Sequence, residues 1–155
     1  MRLYLVRHGD AENANTDDAR PLSARGVAEA EALARYVSSL SLAVADVWHS
    51  EKARARQTAS ILIEQGGLAE CAVEKAGLDP NNPVGPLAEK LFQRDGDLCI
   101  VGHLPFLPRL VSYLLDGCDD ETVFGFTTCA MVCLERGGGR HWRMKWFVTP
   151  DILSS

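Results

Sequence analysis

Short apolar runs alternate with longer stretches of helical spacing along the whole chain. Residues 3–6 are an unbroken apolar run of β-formers that stops at Arg7-His8-Gly9. A run of that kind suits a central strand covered on both faces. Residues 10–20 are polar, lack periodicity and read as a loop. Pro21-Leu22-Ser23 then opens a helix with Ser23 as its cap, and Val27, Ala30, Leu33, Ala34 and Val37 form one apolar stripe ending near residues 38–40. Residues 43–48 predict a second strand. Ser50 follows as the cap of a helix with Glu51 first, where a carboxylate suits the helix dipole. That helix passes Thr58, Ile61 and Leu62 and stops at Gly66-Gly67. Residues 72–74 are a third, minor strand, and 77–86, rich in Pro, Gly and Asn, are a loop before a short helix over 87–93. Residues 97–101 are another buried-type strand, ending at Gly102-His103. Pro105 opens a helix through Leu110, Val111, Leu114 and Leu115, with Pro108 tolerated near its first turn. Strands over 128–134 and 142–148 close the pattern as a hairpin through Arg136-Gly137-Gly138-Gly139-Arg140. Strand alternating with helix, followed by a hairpin, predicts an α/β three-layer sandwich whose mostly parallel central sheet has an antiparallel edge.

With 155 residues the chain fits one domain and one substantial core. Sixteen Lys and Arg against 21 Asp and Glu give a net charge of −5, which argues against nucleic acid as a partner. Any anion site must therefore concentrate positive charge locally. No apolar run approaches the ~18 residues of a membrane span. The first apolar segment reaches Arg7 too soon for a signal peptide, so a cytoplasmic protein with no membrane partner is expected. The five cysteines (71, 99, 118, 129 and 133) are odd in number and contain no Cys-x-x-Cys pair. Neither a disulfide framework nor a zinc site is expected, and the thiols read as buried or incidental.

Three predicted strands end in chemistry-bearing residues: Arg7-His8, Ser50 followed by Arg54, and Gly102-His103. The carboxyl ends of strands in an open parallel sheet form the ligand crevice. If these strands are neighbours, Arg7, His8, Arg54 and His103 converge beside a helix N-terminus, which itself favours an anion. Each residue alone has an ordinary reading: a strand-end histidine is most often structural, and a helix arginine is most often a solvated charge. The joint pattern is what describes a phosphate site. His49 and His141 do not share it and stay unassigned.

These segments resemble the histidine phosphatase (phosphoglycerate mutase-like) superfamily. Arg7-His8-Gly9-Asp10 is similar to its signature, Ser50-Glu51-Lys52-Ala53-Arg54-Ala55-Arg56-Gln57-Thr58 to its second motif, and Gly102-His103 to its third. Arg20-Pro21-Leu22-Ser23 with Gly26, Gly102-His103-Leu104-Pro105, and Phe126-Thr127-Thr128 resemble the SixA-type phosphohistidine phosphatases. Glu51 departs from the pattern, which usually has Pro there. The resemblance implies a cofactor-independent phosphatase in which His8 attacks phosphorus and water hydrolyses the covalent phosphohistidine. Arg7 and Arg54 would hold the phosphoryl oxygens, and His103, once protonated, would donate to them. It places Arg20 at the phosphate or a substrate carboxylate, and gives Asp17 a supporting role such as fixing the tautomer of His8, which a backbone carbonyl could equally do. Larger members carry a leaving-group acid in an insertion before the third motif. Only residues 67–102 lie between Gly66 and His103 here, and Glu74 and Asp79 are positional candidates for that acid.

Without a long insertion the pocket should be open, which suits a phosphorylated side chain on another protein, such as a histidine phosphotransfer domain, better than a small sugar phosphate. A departing imidazole also needs less help from an acid than an alkoxide does. The expectation is therefore a monomeric protein phosphohistidine phosphatase. The alternatives are a small-molecule phosphomonoesterase on the same fold and a catalytically silent phosphate-binding module. A metal-dependent phosphatase is disfavoured, because no Asp/His/Glu cluster has ligand spacing.

Overall fold

Alternation within each apolar run decides which side chains face which layer of the molecule. A computed structural model describes residues 1–122, 124–139 and 141–153. Its strands are β1 (Arg2–Arg7), β2 (Asp46–His49), β3 (Ala72–Glu74), β4 (Leu98–Gly102), β5 (Met131–Arg136) and β6 (Trp142–Val148). Its helices are α1 (Ala24–Ser39), α2 (Ala53–Glu64), α3 (Gly85–Phe92), α4 (Phe106–Asp116) and α5 (Pro150–Leu153). They build one six-stranded sheet in the order β3-β2-β4-β1-β5-β6. The first four are mutually parallel, and β5 and β6 add an antiparallel edge. This is the predicted three-layer α/β architecture.

Leu3 and Leu5 of β1, with Leu98 and Ile100 of β4, face α3 and α4 and pack on Leu91, Phe106, Leu107 and Leu110. The intervening Tyr4, Val6, Cys99 and Val101 face the other way, onto Ala30, Leu33 and Val37 of α1 and Ala55, Ala59 and Leu62 of α2. The central strands are thus buried on both faces, as their unbroken apolar runs require. Truncating Leu5 or Leu33 to Ala should cost roughly 2–5 kcal/mol, since both are fully buried. Cys99, Cys129 and Cys133 are buried thiols and Cys71 and Cys118 exposed ones.

Several boundaries differ from the sequence reading. α2 starts at Ala53, and its cap residue Lys52 makes no side-chain capping bond, so Ser50 is not a helix cap and Glu51 lies outside the helix. The Ser50 hydroxyl is instead committed to His103, 53 residues away. β2 begins only at Asp46 rather than at residue 43. α3 begins at Gly85, which brings Pro86 into a first turn that needs no N–H from it. β5 begins at Met131 rather than residue 128, because Cys129 turns the chain with a φ of 55° and donates its N–H to the Arg7 and His8 carbonyls. The short α5 has too few residues for a periodic signal. Arg140 of the predicted hairpin loop lies outside the described residues. No described helix is long and apolar enough to cross a membrane.

Candidate active site

Strand order brings the site together. β4 lies between β2 and β1 and runs parallel to both, so the three carboxyl ends open on one edge, with Arg7 in register with Gly102. His8 continues β1 by donating its N–H to the Gly102 carbonyl at 3.1 Å. The rings of His8 and His103 are 5.0 Å apart between centroids.

The turn after β1 exists because two glycines allow a close approach. A Cβ on Gly9 would sit 2.7 Å from the Gly26 carbonyl oxygen, and one on Gly26 would sit 2.0 Å from that of Asp10. Ser23 caps α1 at this contact, accepting from the Gly26 N–H and donating to the Asp10 carboxylate at 2.6 Å. The Gly9 N–H is received by Thr58 Oγ1 at 3.0 Å, and Thr58 in turn donates to the Arg54 carbonyl. Gln57 accepts the Leu22 N–H at 2.7 Å. The Gln57-Thr58 pair of the second motif therefore holds the β1–α1 connection rather than any ligand. Glu29 of α1 completes the frame, receiving the Asp10 N–H and the Thr128 hydroxyl.

His8 and His103 are both buried, at 9% and 1% exposure. His8 Nδ1 lies 2.7 Å from the Gly9 carbonyl oxygen, which can only accept, so Nδ1 carries the proton and Nε2 a lone pair. Arg54 Nε donates toward that lone pair at 3.4 Å. Burial holds the His8 imidazole down to about 4 against the Gly9 hydrogen bond, and the arginines 54, 7 and 20 push the same way. His103 is held down to about 3, first by burial and then by His8, Arg54 and Lys52. Its Nε2 lies 2.5 Å from Ser50 Oγ, while its Nδ1 is buried with no partner among the described residues.

Arg54, the second residue of α2, is 5% exposed and is aimed by Asp17, whose carbonyl accepts from Nη1 at 2.9 Å and whose carboxylate accepts from Nη2 at 3.3 Å. Lys52 Nζ clasps Asp17 at 2.7 Å and Asp18 at 2.6 Å. The Lys52 hydrogen bond, helped by Arg54, holds the Asp17 carboxyl well below the usual carboxylate range. Although burial opposes it, the two aspartates raise the Lys52 ammonium above its ordinary value. Asp17 is thus a carboxylate that orients Arg54, not the group that sets the His8 tautomer; the Gly9 carbonyl does that. Arg20 is steadied by the Glu12 carbonyl and by Asp17. Arg7 Nη1 donates to the Phe126 carbonyl at 2.9 Å, and its Nε is buried without a partner among the described residues.

Arg7, His8, Arg20, Arg54 and His103 line a single cavity of about 240 Å³, together with Asp10, Ala11, Pro80, Leu104 and Thr128. Glu74 and Asp79 do not line it; they belong to a neighbouring cavity of about 320 Å³ with Glu51, Lys75 and Asn82. On another side, across Arg7 and Leu104, lies a groove of about 630 Å³ walled by Pro105, Pro108, Phe124 and Phe126. The arginines and histidines of the cavity wall are the five that the sequence singles out, whereas Ser50 as a partner of His103, and Lys52 with Asp18, are not, because their partners lie far along the chain.

Comparison with known proteins agrees with this geometry. Residues 3–78 match the family model of the histidine phosphatase superfamily (branch 1). An uncharacterized protein of Picosynechococcus sp. is 32% identical over 114 residues, which cover 69% of this chain and 68% of that protein. The structure of the protein histidine phosphatase SixA complexed with tungstate superimposes with a TM-score of 0.90 at 27% identity, over 99% of both chains. A SixA-like protein from Agrobacterium tumefaciens gives 0.79 at 26% identity, over 96% of this chain and 97% of that one. The α-ribazole phosphatase of Shigella flexneri shares the fold, with a TM-score of 0.77 at 17% identity over 97% of each chain. The chain belongs to the histidine phosphatase superfamily, a family of phosphatases.

Proposed function

We propose that this protein is a phosphohistidine phosphatase of SixA type that removes phosphate from a phosphorylated protein. One observation carries the reading. Two buried polar nitrogens, the N–H of Arg7 Nε and His103 Nδ1, have no partner among the described residues, and both belong to residues lining the cavity with His8. Buried polar nitrogens without partners are costly, so a site that leaves two of them open among three arginines is built for an oxygen-rich anion. A tetrahedral phosphoryl group of about −1.5 to −2 charges fits the surrounding Arg7, Arg20 and Arg54.

His8 is neutral at pH 7 and offers the Nε2 lone pair. Nε2 attacks phosphorus, the bond from phosphorus to the substrate nitrogen breaks, and its electron pair leaves with the imidazole. Water then attacks the phosphohistidine on His8, its proton passes to solvent or phosphate, and the P–Nε2 bond returns its pair to His8. Arg7 and Arg54 hold the equatorial oxygens, and His103 donates where charge develops. Arg20 adds charge at the rim, and Asp17 keeps Arg54 aimed.

Two features favour a protein-borne phosphohistidine over a sugar phosphate. Among the cavity-lining residues the one carboxylate is Asp10, and it is engaged by Ser23, so the site suits a leaving group that needs little protonation. The groove beyond Arg7 and Leu104 is walled mainly by Leu104, Pro105, Pro108, Phe124 and Phe126, with Glu121, Thr122 and Thr127 among them. So mixed a surface suits a protein side chain and its neighbours better than a sugar, whose hydroxyls would face a largely apolar wall. A histidine phosphotransfer domain is the fitting class of partner, in the cytoplasm. The test is to assay the purified protein on a phosphohistidine protein and on a panel of sugar and nucleotide phosphates. A higher kcat/KM on the small esters would overturn the substrate reading in favour of a small-molecule phosphomonoesterase.

A further inference from the structure

We propose that Ser50 is a positioning residue that sets the tautomer of His103: its hydroxyl donates to Nε2, so the neutral ring keeps its proton on Nδ1 and presents an N–H to the phosphoryl group. The inference rests on reading the cavity as the phosphoryl site.

His103 has two polar ring atoms. Nε2 is taken by Ser50 Oγ at 2.5 Å, which leaves Nδ1 as the one polar ring atom through which this cavity-lining residue can reach a ligand. Nδ1 is buried and has no partner among the described residues. The direction of the Ser50 bond follows from proton accounting. Ser50 is 1% exposed, and its oxygen receives the Lys52 N–H at 3.3 Å, a group that can only donate. The hydroxyl proton therefore has His103 Nε2 as its acceptor among the described residues. Were Nε2 protonated instead, the Ser50 O–H would be buried without an acceptor, and Nδ1 would turn a lone pair toward a phosphoryl oxygen. Both faults vanish together when Ser50 donates. His103 then acts as a donor without becoming an imidazolium, which suits a ring that burial keeps neutral.

Long-range ¹H–¹⁵N spectra of the whole protein at pH 7 read the tautomer directly, with the His103 signals identified by their loss in His103→Gln. The expected pattern is a pyrrole-type Nδ1 and a pyridine-type Nε2 on His103. In Ser50→Ala that population should shift toward Nε2–H and kcat should fall about tenfold or more, while Ser50→Thr, which keeps the hydroxyl, restores both. His8 should keep its Nδ1–H in every variant, because its partner is the carbonyl of its own neighbour. A wild-type His103 protonated on Nε2 or on both nitrogens would overturn the proposal, whether or not the variants fold. An unchanged tautomer in folded Ser50→Ala would do the same. The Nδ1–H form found in a protein that prefers sugar phosphates would support the Ser50 role and count against the phosphohistidine reading alone.

Discussion

The exits of β1 and β4 are neighbours and look alike: each delivers a buried histidine beside a glycine, and both imidazoles are held neutral by burial. Yet they offer a ligand opposite things. At the β1 exit the Gly9 carbonyl takes the Nδ1 proton, and His8 is left with a lone pair on Nε2. At the β4 exit Ser50 occupies Nε2, and Nδ1 is the atom without a partner among the described residues. In the proposed mechanism the same side chain serves as nucleophile or as hydrogen-bond donor according to which nitrogen the scaffold occupies. Even the source of control differs, since His8 is set by its own backbone and His103 by a side chain from another strand's exit.

The comparison breaks most sharply at His8. His8→Ala should lower kcat by roughly 10⁴-fold or more and abolish an acid-labile, base-stable phosphoenzyme, as removal of a covalent nucleophile does. Full activity without His8 would end the proposed mechanism.

Stability is where the two histidines should behave alike. Their folded values, about 4 and about 3, lie below the ~6.5 of an unfolded histidine. As pH falls, the unfolded chain binds protons first. Stability is therefore full above about pH 6.5 and is lost as pH falls toward those folded values, at about 1.4 kcal/mol per pH unit for each histidine. Urea midpoints between pH 7 and 4.5 check this, a window lying above the titration of ordinary aspartates. His8→Ala should remove part of the slope, and an unchanged slope would contradict the assignment.

The donor role is tested next. His103→Ala should reduce kcat about 10²–10³-fold, the usual loss for one preorganised donor, yet the phosphoenzyme should still form slowly on His8. Loss of labelling altogether would mean that His103 does more than donate.

Asp17→Asn probes the smallest effect. It leaves the carbonyl bond to Arg54 but removes the charge that Arg54 and Lys52 share, so KM should rise about tenfold with little change in kcat. A fall in kcat with KM unchanged would return Asp17 to a role nearer the chemistry.

How far the site was legible follows from the range of each interaction. Arg7, His8 and His103 stand at the ends of strands that announce themselves as apolar runs, and Arg54 follows a third, so their convergence needed only the neighbourhood of β2, β4 and β1. Ser50 was misread as a cap because Ser before a helical segment is a common local signal, whereas its partner lies 53 residues away. Lys52 with Asp17 and Asp18 was hidden for the same reason, as the pair spans the β1–α1 loop and the approach to α2. Glu74 and Asp79 were eligible by position alone, and packing put them in the adjacent cavity.

By itself the sequence determined the layered α/β fold and the set of cationic and imidazole groups at one sheet edge. Periodicity is a property of neighbouring residues, and strand ends converge wherever strands pair in parallel. Only the tertiary structure decided which nitrogen each histidine presents, what Asp17 holds, and which acids are shut out of the cavity. Those outcomes depend on single hydrogen bonds between segments distant along the chain, and local spacing carries no information about their geometry.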